Sequence, residues 1–295
     1  MEAGQRIVTS ESAYGANAVA YLHAERQRDV RIDVVGCDEH GQVDVDALRD
    51  CIDDDVALVA ITHVPTNGGL VNPAAEVGEV TRAAGIPYLL DACQSVGQLA
   101  VDVEAIGCDL LSATGRKYLR GPRGTGFLYA SDRIVDRLVP ASPDHHGAVW
   151  TGTRAYELVP GAQRFEHWEY NHAAWLGLGT AVDEALAIGI DRIEATVRRQ
   201  ATLLRERLTG RGLEVFDLGV DPCGIVTTAV PGVDAATARD RLASDGINVS
   251  VTTRTSTRWD FERRSIDELM RVSVHADTTD DEIERAVESL GTVMV

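Results

Sequence analysis

A chain of 295 residues with 44% hydrophobic side chains can bury a sizeable core, as one large domain or a large domain with a smaller companion. The formal charge of -18 disfavours nucleic acid and anionic membranes as partners, and no apolar run nears the roughly 20 residues that span a bilayer. The opening residues, Met1 to Arg6, lack the basic-then-apolar order of a secretory leader, and Cys37, Cys51, Cys93, Cys108 and Cys223 show neither CxxC pairing nor metal-ligand spacing. These features predict a soluble, cytoplasmic protein with reduced thiols and no bound metal.

From the start to about residue 130, short apolar runs alternate with helical patterns. The runs are Arg6 to Val8, Arg31 to Val35, Ala57 to Ile61, Pro87 to Leu90, Leu110 to Ser112 and Gly126 to Tyr129. Such alternation implies a mainly parallel sheet covered by helices, with ligands beyond the carboxyl ends of the strands. Val71 to Gly85 reads as one crossover helix ended by its glycine. Asn171 to Arg211 reads as nearly continuous helix, long enough to bridge two domains. Beyond it, strands are expected at Gly224 to Val230 and Ile247 to Val251, and helices at Asp234 to Asp245 and Thr279 to Leu290, the last opened by a Thr279/Glu282 capping box. The expected division is a large α/β domain over 1–180 and a smaller α+β domain over 181–295.

Chemistry concentrates at two strand ends. The strand through Leu90 runs into Asp91, a carboxylate that needs a cation or several donors if buried, and Gln94 follows three residues later. The strand through Ser112 leads into Thr114-Gly115-Arg116-Lys117 and then Arg120-Gly121-Pro122-Arg123-Gly124-Thr125-Gly126. Here a hydroxyl, a guanidinium and an amine share four residues beside glycines that let backbone approach a ligand. Lys117 is the single lysine among 28 Lys and Arg residues. Arginine replaces surface lysine at little cost but cannot do imine chemistry, so the retained lysine is informative.

Asp91, Gln94 and Lys117, 26 residues after Asp91, together resemble the class V aminotransferase family of pyridoxal-phosphate (PLP) enzymes. That family includes cysteine desulfurases, isopenicillin N epimerases and carbon-sulfur lyases. The resemblance covers Gly4 to Tyr129 most clearly and implies the fold type I PLP-dependent transferase architecture. It implies that Lys117 carries the cofactor as a Schiff base and moves protons at the substrate's alpha carbon. It further implies that Asp91 keeps the pyridine nitrogen protonated, Gln94 bonds the phenolic oxygen, and Thr114 and Arg116 bind the phosphate. Tyr14 falls where desulfurases place a ring-stacking histidine, and Thr66 where a residue approaches the phenolic oxygen; the nearby His63 reads as structural. Arg271, in Met270 to His275, resembles the arginine that grips the substrate carboxylate. The Arg164 to Asn171 run resembles a segment that relatives extend into a neighbouring subunit's site, although Glu169 replaces a phosphate-binding threonine. His145 and His146 read as an exposed loop pair.

Two departures shape the functional expectation. The loop Val249 to Asp260 has no cysteine, so a desulfurase's persulfide chemistry is disfavoured and a carbon-sulfur lyase acting by beta-elimination is expected, with an epimerase or aminotransferase as the alternative. The loop's arginines suit a substrate with a second anionic group or simple solvation. Relatives also carry a segment ahead of the point where this chain begins, one that supplies a phosphate-binding helix end and a strand. This leaves open a displaced start, a second polypeptide that completes the site, or a non-catalytic subunit. A homodimer with a small amino-acid substrate is the partner expectation.

Overall fold

The computed structural model describes residues 1–293. Six strands form the main sheet: β1 (Arg6–Ser10), β2 (Arg31–Val35), β3 (Val56–Thr62), β4 (Tyr88–Asp91), β5 (Leu110–Thr114) and β6 (Gly126–Ala130). Their order is β2-β1-β3-β4-β5-β6, parallel except for β6, which pairs antiparallel with β5. Between them run α1 (Gly15–Arg28), α2 (Val45–Cys51), α3 (Ala74–Ala84) and α4 (Val103–Ile106). The apolar runs of β3, β4 and β5 lie at the centre, where Val59, Ile61, Leu90 and Leu111 bury against Val77 of α3. Gly85 ends α3 with φ 71°, the left-handed geometry that favours glycine.

A hairpin follows, β7 (Ala148–Gly152) with β8 (Ala155–Leu158), which sequence periodicity did not reveal. The long helical stretch is two helices, α5 (His172–Ile188) and α6 (Ile190–Gly210), bent by 81° at Gly189. Gly189 adopts φ 92° and thereby breaks what composition alone reads as continuous. Among the described residues no single helix is long and apolar enough to cross a membrane.

A second sheet, order β10-β11-β9, is antiparallel: β9 (Ile225–Thr228), β10 (Ser250–Thr253) and β11 (Glu268–Ser273). Helices α7 (Ala235–Ser244), α8 (Arg258–Arg263) and α9 (Asp280–Val293) accompany it. β10 starts three residues later than the sequence pattern implied, whereas the Thr279/Glu282 capping box forms as expected, with reciprocal bonds of 2.8 and 3.2 Å. Alternation along β11 sends Met270 and Val272 into a core shared with α6, α7 and α9, and turns Arg271 the other way, toward the main sheet. The two sheets meet through buried Val64, Leu99, Tyr118, Cys223 and Ile225. They also meet through Gly224 N–H donating to Gln98 at 2.9 Å.

Gly78 in α3 tests this packing. Alanine normally improves a helix interior by about 1 kcal/mol over glycine. At Gly78 a Cβ would lie 1.8 Å from the carbonyl oxygen of Ile106. Gly78→Ala is therefore expected to destabilise by about 1–3 kcal/mol, read as a lower urea midpoint; an unchanged or higher midpoint would show that α4 yields freely.

Candidate active site

The loops after β1, β3, β4 and β5 converge at their carboxyl ends, and β10 and β11 close over them. Between lies a cavity of about 250 Å³ lined by Tyr14, Thr66, Gln94, Arg116, Lys117, Ser250, Val251, Thr252, Ser256 and Arg271. Among the described residues three cations face it and no carboxylate does, in a chain of net charge -18. Six of the residues singled out in the sequence thus share one wall. Asp91 lies behind that wall, and Thr114 ends β5 with its hydroxyl donating to the Thr125 carbonyl at 3.4 Å rather than lining the cavity.

Asp91 is 7% exposed. Its carboxylate accepts from Asn17 Nδ2 at 2.6 Å and from the Cys93 backbone N–H at 3.0 Å, both neutral donors, and no basic side chain forms a salt bridge with it among the described residues. A buried carboxylate without a cationic partner is costly, so this site fits a positively charged ligand group such as a protonated pyridine nitrogen. Asn17, in the first turn of α1 and three residues after Tyr14, is a site residue that the sequence reading passed over.

Thr66 joins the two sheets. Its Oγ1 accepts from Gln94 Nε2 at 3.1 Å and from Arg271 Nη1 at 2.7 Å. Both lone pairs are then engaged, which leaves the hydroxyl proton to donate to a ligand oxygen. Arg271 also donates to the Thr66 carbonyl at 3.1 Å and, through Nε, to Ser250 Oγ at 3.0 Å. No acid pairs with it among the described residues, so a guanidinium fixed on two sides keeps donors for an anion.

Lys117 Nζ stands 5.8 Å from the centroid of the Tyr14 ring. Burial, chiefly, lowers its pKa from the ordinary 10.5; Cys93 and Asp91 oppose that, and the nearby Arg116 and Arg271 guanidinia add to it. The glycine of the Thr114-Gly115-Arg116-Lys117 turn is obligatory in the geometric sense. A Cβ on Gly115 would come within 2.3 Å of Thr125 Oγ1 and 2.7 Å of Leu178.

The arginines of the 249–260 loop do not face the cavity. Arg254 pairs with Asp267 and Arg258 with Glu262, so they offer no second anion site. The loop itself is held down. A Cβ on Gly15 would lie 2.4 Å from the Thr255 carbonyl, Thr257 and Phe261 are fully buried, and Asn67 donates to Asp260 at 2.6 Å. Burial pushes the thiol of Cys93, the cysteine beside Lys117, up to about 12. His63 is buried, with its pKa lowered to about 4 by desolvation, and lies off the cavity wall; His146 pairs with Glu166 at 2.9 Å.

The sequence profile of the class-V aminotransferases matches residues 1–286. The chain belongs to that family. Its members are PLP-dependent, and the mainly parallel α/β architecture is that of fold type I. It is 35% identical over 191 residues to a probable cysteine desulfurase of Methanothermobacter thermautotrophicus, covering 65% of this chain and 48% of that protein. It is 32% identical over 195 residues to a cysteine desulfurase of Synechococcus elongatus, covering 66% and 31%. The chain thus spans half or less of these curated relatives. Among solved structures, the apo cysteine desulfurase of Thermococcus onnurineus superposes with a TM-score of 0.93 at 22% identity, over 100% of this chain and 74% of that one. A complex of the cystine C-S lyase C-DES with its product cysteine persulfide superposes with a TM-score of 0.86 at 17% identity, over 99% and 76%.

The lowered pKa of Lys117 sets a pH expectation. A larger fraction of its amine is neutral at a given pH than for an ordinary lysine, so capture of PLP, trapped by borohydride and counted by mass spectrometry, should be half-maximal below pH 10.5. Arg116→Ala removes a like charge that disfavours the protonated amine, and should move the midpoint upward. A midpoint unmoved or lowered would dissociate Arg116 from Lys117.

Proposed function

We propose that this chain forms the site of a PLP enzyme acting on a small amino acid, as a carbon-sulfur lyase that works by beta-elimination without a persulfide cysteine. The observation that carries the reading is Lys117, an amine of lowered pKa in a cavity of three cations, with the buried carboxylate of Asp91, which forms no salt bridge among the described residues, behind it. When bound, PLP supplies an electron sink for a carbanion at the substrate's alpha carbon. Lys117 would hold the cofactor covalently, then take and return the proton at that carbon. Asp91 would face the pyridine nitrogen, with Asn17 and the Cys93 N–H fixing its two oxygens. Gln94 and the Thr66 hydroxyl would meet the phenolic oxygen, Arg116 the phosphate, and Tyr14 the ring face, while Thr114, turned to the Thr125 carbonyl, stands off the cavity. Arg271 would clamp the substrate carboxylate. The lyase reading draws support from a loop that has no cysteine and is pinned at Gly15 and Asn67, and from the raised thiol pKa at Cys93. One solved relative is itself a cystine C-S lyase.

The division into 1–180 and 181–295, a cytoplasmic setting and assembly with partners belong to the same proposal. The separate sheets support the first and five free cysteines the second. Exposed Trp150, Tyr156, Trp168 and Trp175 support a homodimer. The open edge of β6, where Phe127 and Leu128 are about 40% exposed beside hollows of about 520 and 570 Å³, supports a further strand-bearing segment docking there, from a longer form of this chain or from a second polypeptide.

Titration of the purified chain with PLP should give a visible absorption band that Lys117→Ala abolishes, and Lys117→Ala should lower turnover by about 10²–10⁴-fold. No band in the unmutated protein overturns the enzyme reading. Cysteine S-conjugates should yield pyruvate and ammonia; racemised or transaminated product would replace the lyase assignment. For assembly, the outward amides of β6 should exchange rapidly in residues 1–295 expressed alone and become protected in the assembly isolated from native cells, and equal exchange would rule out a docked strand.

A further inference from the structure

Asp260 of α8 is 4% exposed and stands off the cavity wall, in a charged cluster that the chemistry above leaves unused. Its carboxylate accepts from Arg263 at 3.1 Å, from Arg264 at 3.4 Å and from Asn67 Nδ2 at 2.6 Å. Arg263 also pairs with Glu11, in the turn after β1, and Arg264 donates to the Phe216 carbonyl at 2.6 Å. Two carboxylates and two guanidinia balance one another in this cluster. The bond that leaves it toward the cavity runs to Asn67, the neighbour of Thr66.

Asn67 lies in the loop between β3 and α3, just ahead of Gly68 and Gly69, whose backbone freedom leaves such a loop ill-defined unless side chains hold it. The residue is 4% exposed, and its Oδ1 has no hydrogen-bond partner. An ionised carboxylate only accepts, so the amide cannot turn about to satisfy that oxygen without losing Asp260. A buried unpaired acceptor and a buried ion cluster both compare poorly with apolar packing as sources of stability. What they secure is geometry. Thr66 must present one oxygen to Gln94 at 3.1 Å and to Arg271 at 2.7 Å while its carbonyl accepts from Arg271 at 3.1 Å. Hydrogen bonds weaken steeply with misalignment, so an oxygen shared in this way tolerates little displacement of its loop.

We propose that Asp260 is a positioning residue for the cofactor wall: through Asn67 it fixes the Thr66 hydroxyl, and with it the Gln94 and Arg271 side chains, without touching a ligand itself. This rests on the PLP reading above. A residue on a helix that accompanies the small sheet thereby sets a loop of the main sheet 193 positions earlier, by a contact separate from the Arg271 bond.

The test is a double-mutant cycle on PLP affinity, read from the visible absorption of the purified chain. PLP uptake by the unmutated chain is measured first. Its absence overturns the PLP reading and this one with it, whereas uptake followed by an additive cycle overturns this one alone. Asp260→Asn should weaken PLP binding by at least about tenfold in protein whose far-UV circular dichroism is unchanged, and by less than about twofold when Thr66 is already replaced in Thr66→Val, because members of one network do not add. Equal losses in both backgrounds, or no loss in the first, would make Asp260 a structural residue only and overturn the proposal. Arg258→Ala breaks the exposed Arg258–Glu262 pair on the same helix and should leave the affinity unchanged. A loss there would assign the effect to α8 as a whole and overturn the proposal too. If Asp260→Asn alone impairs folding, Asn67→Asp, which sets two carboxylates face to face, should weaken PLP binding, and adding Asp260→Asn to it should restore an amide against a carboxylate and recover the affinity. A loss that the second substitution does not recover overturns the proposal.

Discussion

A carboxylate buried at the end of a central strand, with no salt-bridge partner among the described residues, is the constraint around which this structure is arranged. Asp91 is carried there by the apolar run of β4, which lies paired between β3 and β5. Two neutral donors hold its oxygens, and one of them, Asn17, comes from a helix 74 positions earlier. Neutral donors orient a carboxylate without cancelling its charge. The negative potential they leave draws protonated groups toward the floor of the cavity, while Arg116, Arg271 and desolvation oppose protonation of Lys117. One amine thus stands between opposed influences.

The second dependence is on docking of the two sheets. Thr66 belongs to a loop of the main sheet and Arg271 to the small one, yet they share a hydrogen bond that also fixes Gln94 through the same oxygen. His275 adds a bond to the Tyr118 carbonyl at 3.0 Å and stacks on that residue's ring, immediately beyond Lys117. Arg271 of the small sheet and Gln94 of the main one are consequently set by the same contacts. Any motion of the small sheet alters both together.

Much of this was legible in the sequence because the relevant signals are local. Asp91, Gln94 and Lys117 sit at fixed spacings on two strand-end turns, and the six strands of the main sheet follow from alternation of apolar runs. What could not be read is of two kinds. Asn17 and Asp91, or Arg271 and Thr66, are partners only through the fold, and no periodicity links positions 74 or 205 residues apart. Elsewhere composition was ambiguous. The arginines of the 249–260 loop suited either a second anionic group or simple solvation, and they turn to Asp267 and Glu262, while the inconspicuous Ser250, Thr252 and Ser256 line the cavity. Gly189 has too slight a signature in an Ala- and Leu-rich stretch to announce a bend of 81°.

The contrast between a cationic cavity and an acidic body has a kinetic side. An anion diffusing toward a chain of net charge -18 meets repulsion over most approaches, and the three cations of the cavity prevail only within about one Debye length, near 8 Å at physiological ionic strength. Salt shortens the reach of the outer field, easing arrival, and also screens the inner one, loosening retention. Ionic strength therefore acts on capture and on release in opposite directions, and the best working salt concentration for such a site lies between the two extremes rather than at low salt.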